Sequence, residues 1–175
     1  GRGALLDVNA GAGQALADEL GAGALFVKTD VTSGPEGEAA IQAAVQKFGQ
    51  IDVAVNCAGV APGERIVGRE GPHALDSFAR AISINLIGTF NMMRLAAAHM
   101  ADLPERDDKA RGVIVNTASV AASDGQIGQV SYAASKGAIV SMALPAAREL
   151  SRFGIRVNTI APGIFATPLL KSLPV

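Results

Sequence analysis

The sequence is short of the residues that mark several large functional classes. Its single cysteine, Cys57, excludes an internal disulfide framework and fits a reducing compartment. With only that thiol and two isolated histidines, His73 and His99, no metal-ligand cluster is visible and no metal is expected. Both histidines read as ordinary surface or helix residues. Charge of either sign is also scarce in excess: the net charge is -1 and the pI near 6.1. That balance supplies no basic stripe for nucleic acid and no polybasic patch for an anionic membrane. No apolar run reaches the ~18 residues of a bilayer span; the stretch 82–100 comes nearest, broken by Asn85, Asn91 and Arg94. There are no internal repeats and no low-complexity tract.

What remains is a chain of 175 residues, 49% of them apolar, enough for one domain with a substantial core. Short apolar runs alternate with longer helical stretches, the pattern of repeated strand-helix units. Strands are expected at 4–8, 24–28, 51–55, 113–116 and 156–160. Helices are expected at 11–20, 35–48, 75–101 and 132–151. The segment 60–72, with three Gly and two Pro, reads as a mobile connection without an element of its own. Strands apolar throughout indicate a parallel sheet covered on both faces. In such a sheet ligands sit beyond the carboxyl ends of the strands. Asp7, Asp30, Asn56 to Gly59, Ser119 and Pro162-Gly163 all follow strand ends, so they are expected along one edge of one crevice.

Chemistry concentrates around Tyr132 and Lys136. A phenol and an ammonium four residues apart share one helix face. The cation would draw a phenol that normally titrates near ~10 towards the working range of an acid/base catalyst. Chance alone places a lysine at that spacing about once in fifteen, so the pair is weak by itself. Ser119, thirteen positions upstream of Tyr132, adds a hydroxyl that can orient a carbonyl or alcohol. Asp7 is placed to accept hydrogen bonds from a ribose diol and to repel a 2′-phosphate, which favours NAD over NADP. Asp30 with Val31 suits an adenine, or a helix cap. Cys57, Ala58 and Gly59 are small enough for backbone to approach a flat ligand, although Gly59 also suits a plain turn. Asn85 interrupts a helix where asparagine is disfavoured; it either holds a water on a path to Lys136 or simply bends the helix.

Taken together these residues resemble the short-chain dehydrogenase/reductase family. The matching pieces are Asp7, Asp30-Val31, Asn56-Cys57-Ala58-Gly59, Asn85, Ser119, Tyr132 with Lys136, and Pro162-Gly163 with Thr167. The stretches 52–59, 116–122 and 160–170 are most similar to its type-2 3-hydroxyacyl-CoA dehydrogenase subgroup, in which Cys57 has its counterpart. The resemblance implies an α/β fold: a single-domain, doubly wound Rossmann-type parallel sheet. It implies NAD-dependent interconversion of a secondary alcohol and a ketone, with 3-hydroxyacyl-CoA and 3-oxoacyl-CoA as the substrate pair. By resemblance Tyr132 is the general acid/base, Lys136 binds the nicotinamide ribose, Ser119 orients the substrate oxygen, and Asn85 supports the relay. Asp7, Asp30, Val31, Cys57, Ala58 and Gly59 fall to the cofactor's adenosine half and linker. Phe165 and Thr167 fall to its nicotinamide end, and Gln126 to the substrate. A homodimer or homotetramer is implied, as is a cytoplasmic location, with the mitochondrial matrix as the alternative. A reductase of another ketone or steroid, or a non-catalytic scaffold subunit, stays open.

One family feature is missing from residues 1–175. The Gly-rich phosphate loop should stand about 20 residues before the ribose-binding acid, and only six residues precede Asp7. Residues 1–175 are therefore expected to be part of a longer protein: a partial NAD(P)-binding Rossmann domain, inactive by itself, with a gap between the Asp7 strand and the Asn56 strand.

Overall fold

The computed structural model describes residues 1–166. Strand β1 (Gly3–Asp7) pairs in parallel with β2 (Ala24–Lys28), joined through helix α1 (Ala10–Leu20). Helix α2 (Gly34–Phe48) follows, and its ends are written in the sequence. Ser33 caps it by accepting from the Glu36 N–H at 3.3 Å, Pro35 lies in the first turn, and Gly49 closes it at φ 90°. Strands β3 (Val53–Asn56), β6 (Gly112–Thr117) and β7 (Ile155–Ile160) form a second parallel sheet in the order β3-β6-β7. Among the described residues β1 and β3 do not pair, so the expected gap falls between the two sheets.

The β3-β6-β7 sheet has two unlike faces, because side chains alternate along each strand. Ile114, Ile155 and Val157 point to one face, where they form a buried cluster with Met93, Ala96, Ala97 and Met100. Those methionines and alanines come from α4 (Thr89–Ala101); Met142, Ala146 and Leu150 of α5 (Val130–Leu150) flank the cluster. The other face carries Val53 and Val55, 56% and 57% exposed, in register with Val113 and Val115 of β6 and, beyond these, Arg156 and Asn158 of β7. Among the described residues this second face of the three-stranded sheet is left open, as a partial doubly wound sheet allows. Apolar strand composition reports what can be covered, not which described element covers it.

Two further expectations change. The segment 60–72 is not featureless: β4 (Val67–Gly68) and β5 (Gly71–Pro72) form a short antiparallel hairpin. Gly71 supplies φ 130° after its turn, so a residue read as a breaker is the one that makes the hairpin possible. The predicted long helix at 75–101 is α3 (Leu75–Ile82) and α4 separated by a π-helical turn, Ser83–Gly88. The widened turn contains Asn85; such turns mark places where a helix is distorted for a purpose. Pro145 lies inside α5, which continues through it to Leu150.

Candidate active site

Parallel pairing brings the carboxyl ends of β3, β6 and β7 to one edge, and the residues after them are tied together. Asn56 and Asn116 face each other in register, Asn56 Nδ2 donating to Asn116 Oδ1 at 2.8 Å. The Ala118 N–H donates to the Ile160 carbonyl at 2.8 Å, and the Val120 N–H to that of Pro162 at 3.0 Å. Ser119 therefore stands in extended backbone (φ -168°) between two anchored neighbours. Its Oγ accepts from the Ala121 N–H at 3.2 Å, starting a 3₁₀ turn at Val120–Ala122 that packs on α5.

Lys136 is the buried charge of this edge. It is 4% exposed, and its Nζ donates to the Thr117 carbonyl at 2.7 Å. Burial pushes its ammonium below the ordinary lysine range, and nearby Cys57 partly opposes that shift. The Nζ lies 5.7 Å from the centroid of the Tyr132 ring, as one helical turn between the residues requires. Cys57 is exposed at the end of β3, its Sγ 3.8 Å from Thr117 Oγ1. Ala58 is exposed beside it. At Gly59 a Cβ would lie 3.2 Å from Asn85 Oδ1 and 3.7 Å from Lys136 Nζ, so glycine keeps that corner open.

Asn85 is fully buried, and its amide is occupied. Nδ2 donates to the Val60 carbonyl at 2.9 Å and to Ser135 Oγ at 2.9 Å, while Oδ1 accepts from the Val60 N–H at 2.8 Å. One Oδ1 lone pair is its remaining capacity towards a water. The Asn85 carbonyl accepts from Thr89 Oγ1 at 2.7 Å.

The other predicted residues lie further out. Asp7 is exposed at the end of β1, its Oδ1 accepting from the Asn9 N–H at 2.8 Å. Asp30 accepts from the Thr32 N–H at 2.9 Å and Thr32 Oγ1 at 2.7 Å, and these bonds hold its carboxyl below the usual carboxylate range. It caps no helix; Ser33 does that. Val31 is buried against Gly88, where a Cβ would collide with it, and its carbonyl accepts from Asn91 Nδ2 at 2.9 Å. Gln126 is exposed and lines a cavity of about 390 Å³ with Glu64, Ile66, Ile127, Val130 and Ala133. The Glu64 N–H donates to the Gly128 carbonyl at 2.9 Å, which ties the hairpin segment to that wall. Phe165 is 66% exposed at the end of the described chain. Thr167 lies outside the described residues. His73 is not a plain surface residue: its Nδ1 lies 2.9 Å from the Ala74 carbonyl, and its ring meets Phe78 edge-on.

Sequence reasoning missed Thr117, Val60, Asn116 and Ser135, all of which hold the residues it found. Thr117 and Val60 act through backbone, which no side-chain motif reveals. Ser135, adjacent to Lys136 on a helix, had the signal of a small polar residue in an apolar stretch.

The short chain dehydrogenase family model matches residues 2–174. The chain belongs to the short-chain dehydrogenase family. Within that family it is 52% identical to the 3-hydroxyacyl-CoA dehydrogenase type-2 of Rattus norvegicus, over 97% of this chain and 66% of the relative. Against the protein of that name from Homo sapiens it is 51% identical, with the same coverage. A crystal structure of 3-hydroxyacyl-CoA dehydrogenase type-2 from Mycobacterium avium matches with a TM-score of 0.91 at 46% identity, covering 97% of this chain and 67% of that one. A 3-ketoacyl-(acyl-carrier-protein) reductase from Brucella melitensis complexed with NADH matches at 0.87 and 30% identity, over 97% and 68%. The chain thus spans about two thirds of the length of these family members. The Rossmann-like α/β fold expected from the sequence is the family's fold.

Proposed function

We propose that the protein containing this chain is an NAD-dependent oxidoreductase that interconverts a secondary alcohol and a ketone, with 3-hydroxyacyl-CoA and 3-oxoacyl-CoA as the substrate pair. The observation that carries this reading is the nearly buried Lys136 ammonium one turn from Tyr132, at a strand edge that also carries Ser119. Identity of about half to named 3-hydroxyacyl-CoA dehydrogenases supports the substrate class.

The residues present fit a nicotinamide dinucleotide. Asp7 offers an exposed carboxylate at a strand end, with Oδ2 left for a ribose diol. Gly59 keeps an opening beside Lys136 that a Cβ would fill. Asp7, Asp30, Val31, Cys57, Ala58 and Gly59 would hold the adenosine side, and Lys136, Phe165 and Thr167 the nicotinamide side. When bound, NAD accepts the hydride. In alcohol oxidation Ser119 Oγ orients the substrate hydroxyl and Tyr132 takes its proton as general base; in the reverse direction Tyr132 returns it. Lys136 stabilises the anionic phenol oxygen by its charge, and Asn85 fixes the corner at Val60 where a relay water would enter. Gln126 contacts the substrate from the cavity wall.

An oligomer is part of the reading. Ile87 and Phe90, and Val140 and Leu144 of α5, are all between 46% and 57% exposed, an apolar surface that a second subunit would cover.

The test is an assay of the complete protein with acetoacetyl-CoA and NADH, with steroid and simple-ketone controls. Turnover of the CoA ester is expected. Turnover of a control ketone alone would sink the substrate assignment; turnover of none would sink the enzyme.

A further inference from the structure

We propose that Ser135 is a positioning residue of the Tyr132–Lys136 site, acting through Asn85 and the Val60 backbone and not on substrate. Ser135 is completely buried on α5, between the two residues whose geometry matters most. Its hydroxyl donates to the Tyr132 carbonyl at 2.7 Å. A hydroxyl has one proton, so towards Asn85 it can only accept. That demand matches the amide nitrogen, which approaches it at 2.9 Å. The remaining amide groups then meet Val60 with the right polarity: Nδ2 to the carbonyl at 2.9 Å, Oδ1 to the N–H at 2.8 Å.

The result is a chain of hydrogen bonds from the Tyr132 backbone on α5, through the π-helical turn, to the segment that leaves β3. Its far end is next to Gly59, the corner beside Lys136. Removing the Ser135 hydroxyl would leave one Asn85 N–H buried without an acceptor. Such a group recovers a partner by moving or by admitting water. Either response changes the space around Lys136, whose other neighbours are the Thr117 carbonyl, Cys57 and the Tyr132 ring. Ser135 thereby sets the surroundings of the ammonium without touching it.

The kinetic part of the test rests on the dehydrogenase reading; the titration part does not. In the complete protein, S135A, N85A and the double variant are compared for kcat of alcohol oxidation. The Lys136 ammonium is followed by NMR titration in the absence of cofactor. S135A is expected to lower kcat by about tenfold or more, with the KM for NAD changed by less than about twofold. In the N85A background S135A should add nothing, since the two side chains act as one unit. The Lys136 titration should move back towards the ordinary lysine value as water reaches the ammonium. S135C, which keeps a weak donor and acceptor, should fall between wild type and S135A, and it replaces S135A in the cycle if that variant does not fold. Equal losses from S135A with and without Asn85, or a Lys136 titration that superimposes on wild type, would overturn the proposal. A wild type that turns over no alcohol refutes the dehydrogenase reading alone, and the titration still decides the role of Ser135.

Discussion

Replacing Lys136 with methionine should separate what this residue does for activity from what it does for stability. Methionine retains most of the buried stem volume, so the change is largely one of charge. Two terms oppose. The variant loses the bond from Nζ to the Thr117 carbonyl, 2.7 Å long, a charge-assisted interaction of about 1.5–3 kcal/mol. It also relieves the cost of holding an ammonium that is only 4% exposed. That cost is real because burial depresses the lysine below its ordinary value of 10.5. The unfolded chain therefore binds the proton more tightly than the fold does. Between the depressed folded value and 10.5 the unfolded state carries more protons, so this group makes wild-type stability rise with pH across that window. Below the window the full cost is present and constant.

At pH 7 the two terms should nearly cancel, leaving K136M within about 1 kcal/mol of wild type. Turnover should fall by at least about 10²-fold. Urea unfolding of both proteins from pH 7 to 10.5 gives the difference curve. The expected curve shows wild type gaining on K136M as pH rises through the upper part of the range. A loss above about 3 kcal/mol at pH 7 with a flat difference curve would refute the reasoning, because it would make the buried ammonium a net stabiliser.

Tyr132→Phe should reduce kcat by about 10²–10⁴-fold, while NADH affinity by fluorescence titration changes less than about threefold. Asp7→Ala should lower the NAD-to-NADP ratio of kcat/KM by about tenfold or more, because the carboxylate that repels a 2′-phosphate is gone; an unchanged ratio would remove Asp7 from the ribose site. Ile114, fully buried at the centre of the β3-β6-β7 cluster, should cost about 2–5 kcal/mol on replacement by alanine, read by urea unfolding with NADH affinity measured alongside.

Much of this fold was legible because its elements are punctuated by residues with specific backbone roles. The helix expected at 35–48 is α2, bounded by Ser33, Pro35 and Gly49, and β2 runs over 24–28 as read. The hairpin at 67–72 was not legible. The glycine and proline signals that announce a loop also announce a tight turn, and its strands are too short for alternation to register. The π-helical turn was half legible. Asn85 signalled a departure from helix, but the partners of its side chain are 25 and 50 positions away, Val60 and Ser135. The same separation hid Ser135. Spacing on one helix predicts which side chains share a face, whereas the partner that gives a side chain its task arrives from another element.

The site's accuracy can then be traced to the register of the sheet. Asn56 and Asn116 are paired across β3 and β6, and their side chains bond at 2.8 Å on the covered face. Asn116 is fully buried, and its Nδ2 reaches Met93 Sδ at 3.7 Å. A slip of either strand by one residue would turn its own asparagine to the open face and leave the other amide on the covered face without its partner, so this pair fixes how far each strand runs. One residue beyond Asn116, the Thr117 carbonyl receives Lys136. One residue beyond Asn56, Cys57 meets the Thr117 hydroxyl. The positions that anchor the ammonium are therefore set by a cross-strand amide pair with no part in proton transfer. A change at Asn116 should disturb activity by moving Thr117, even though its own side chain points into the core.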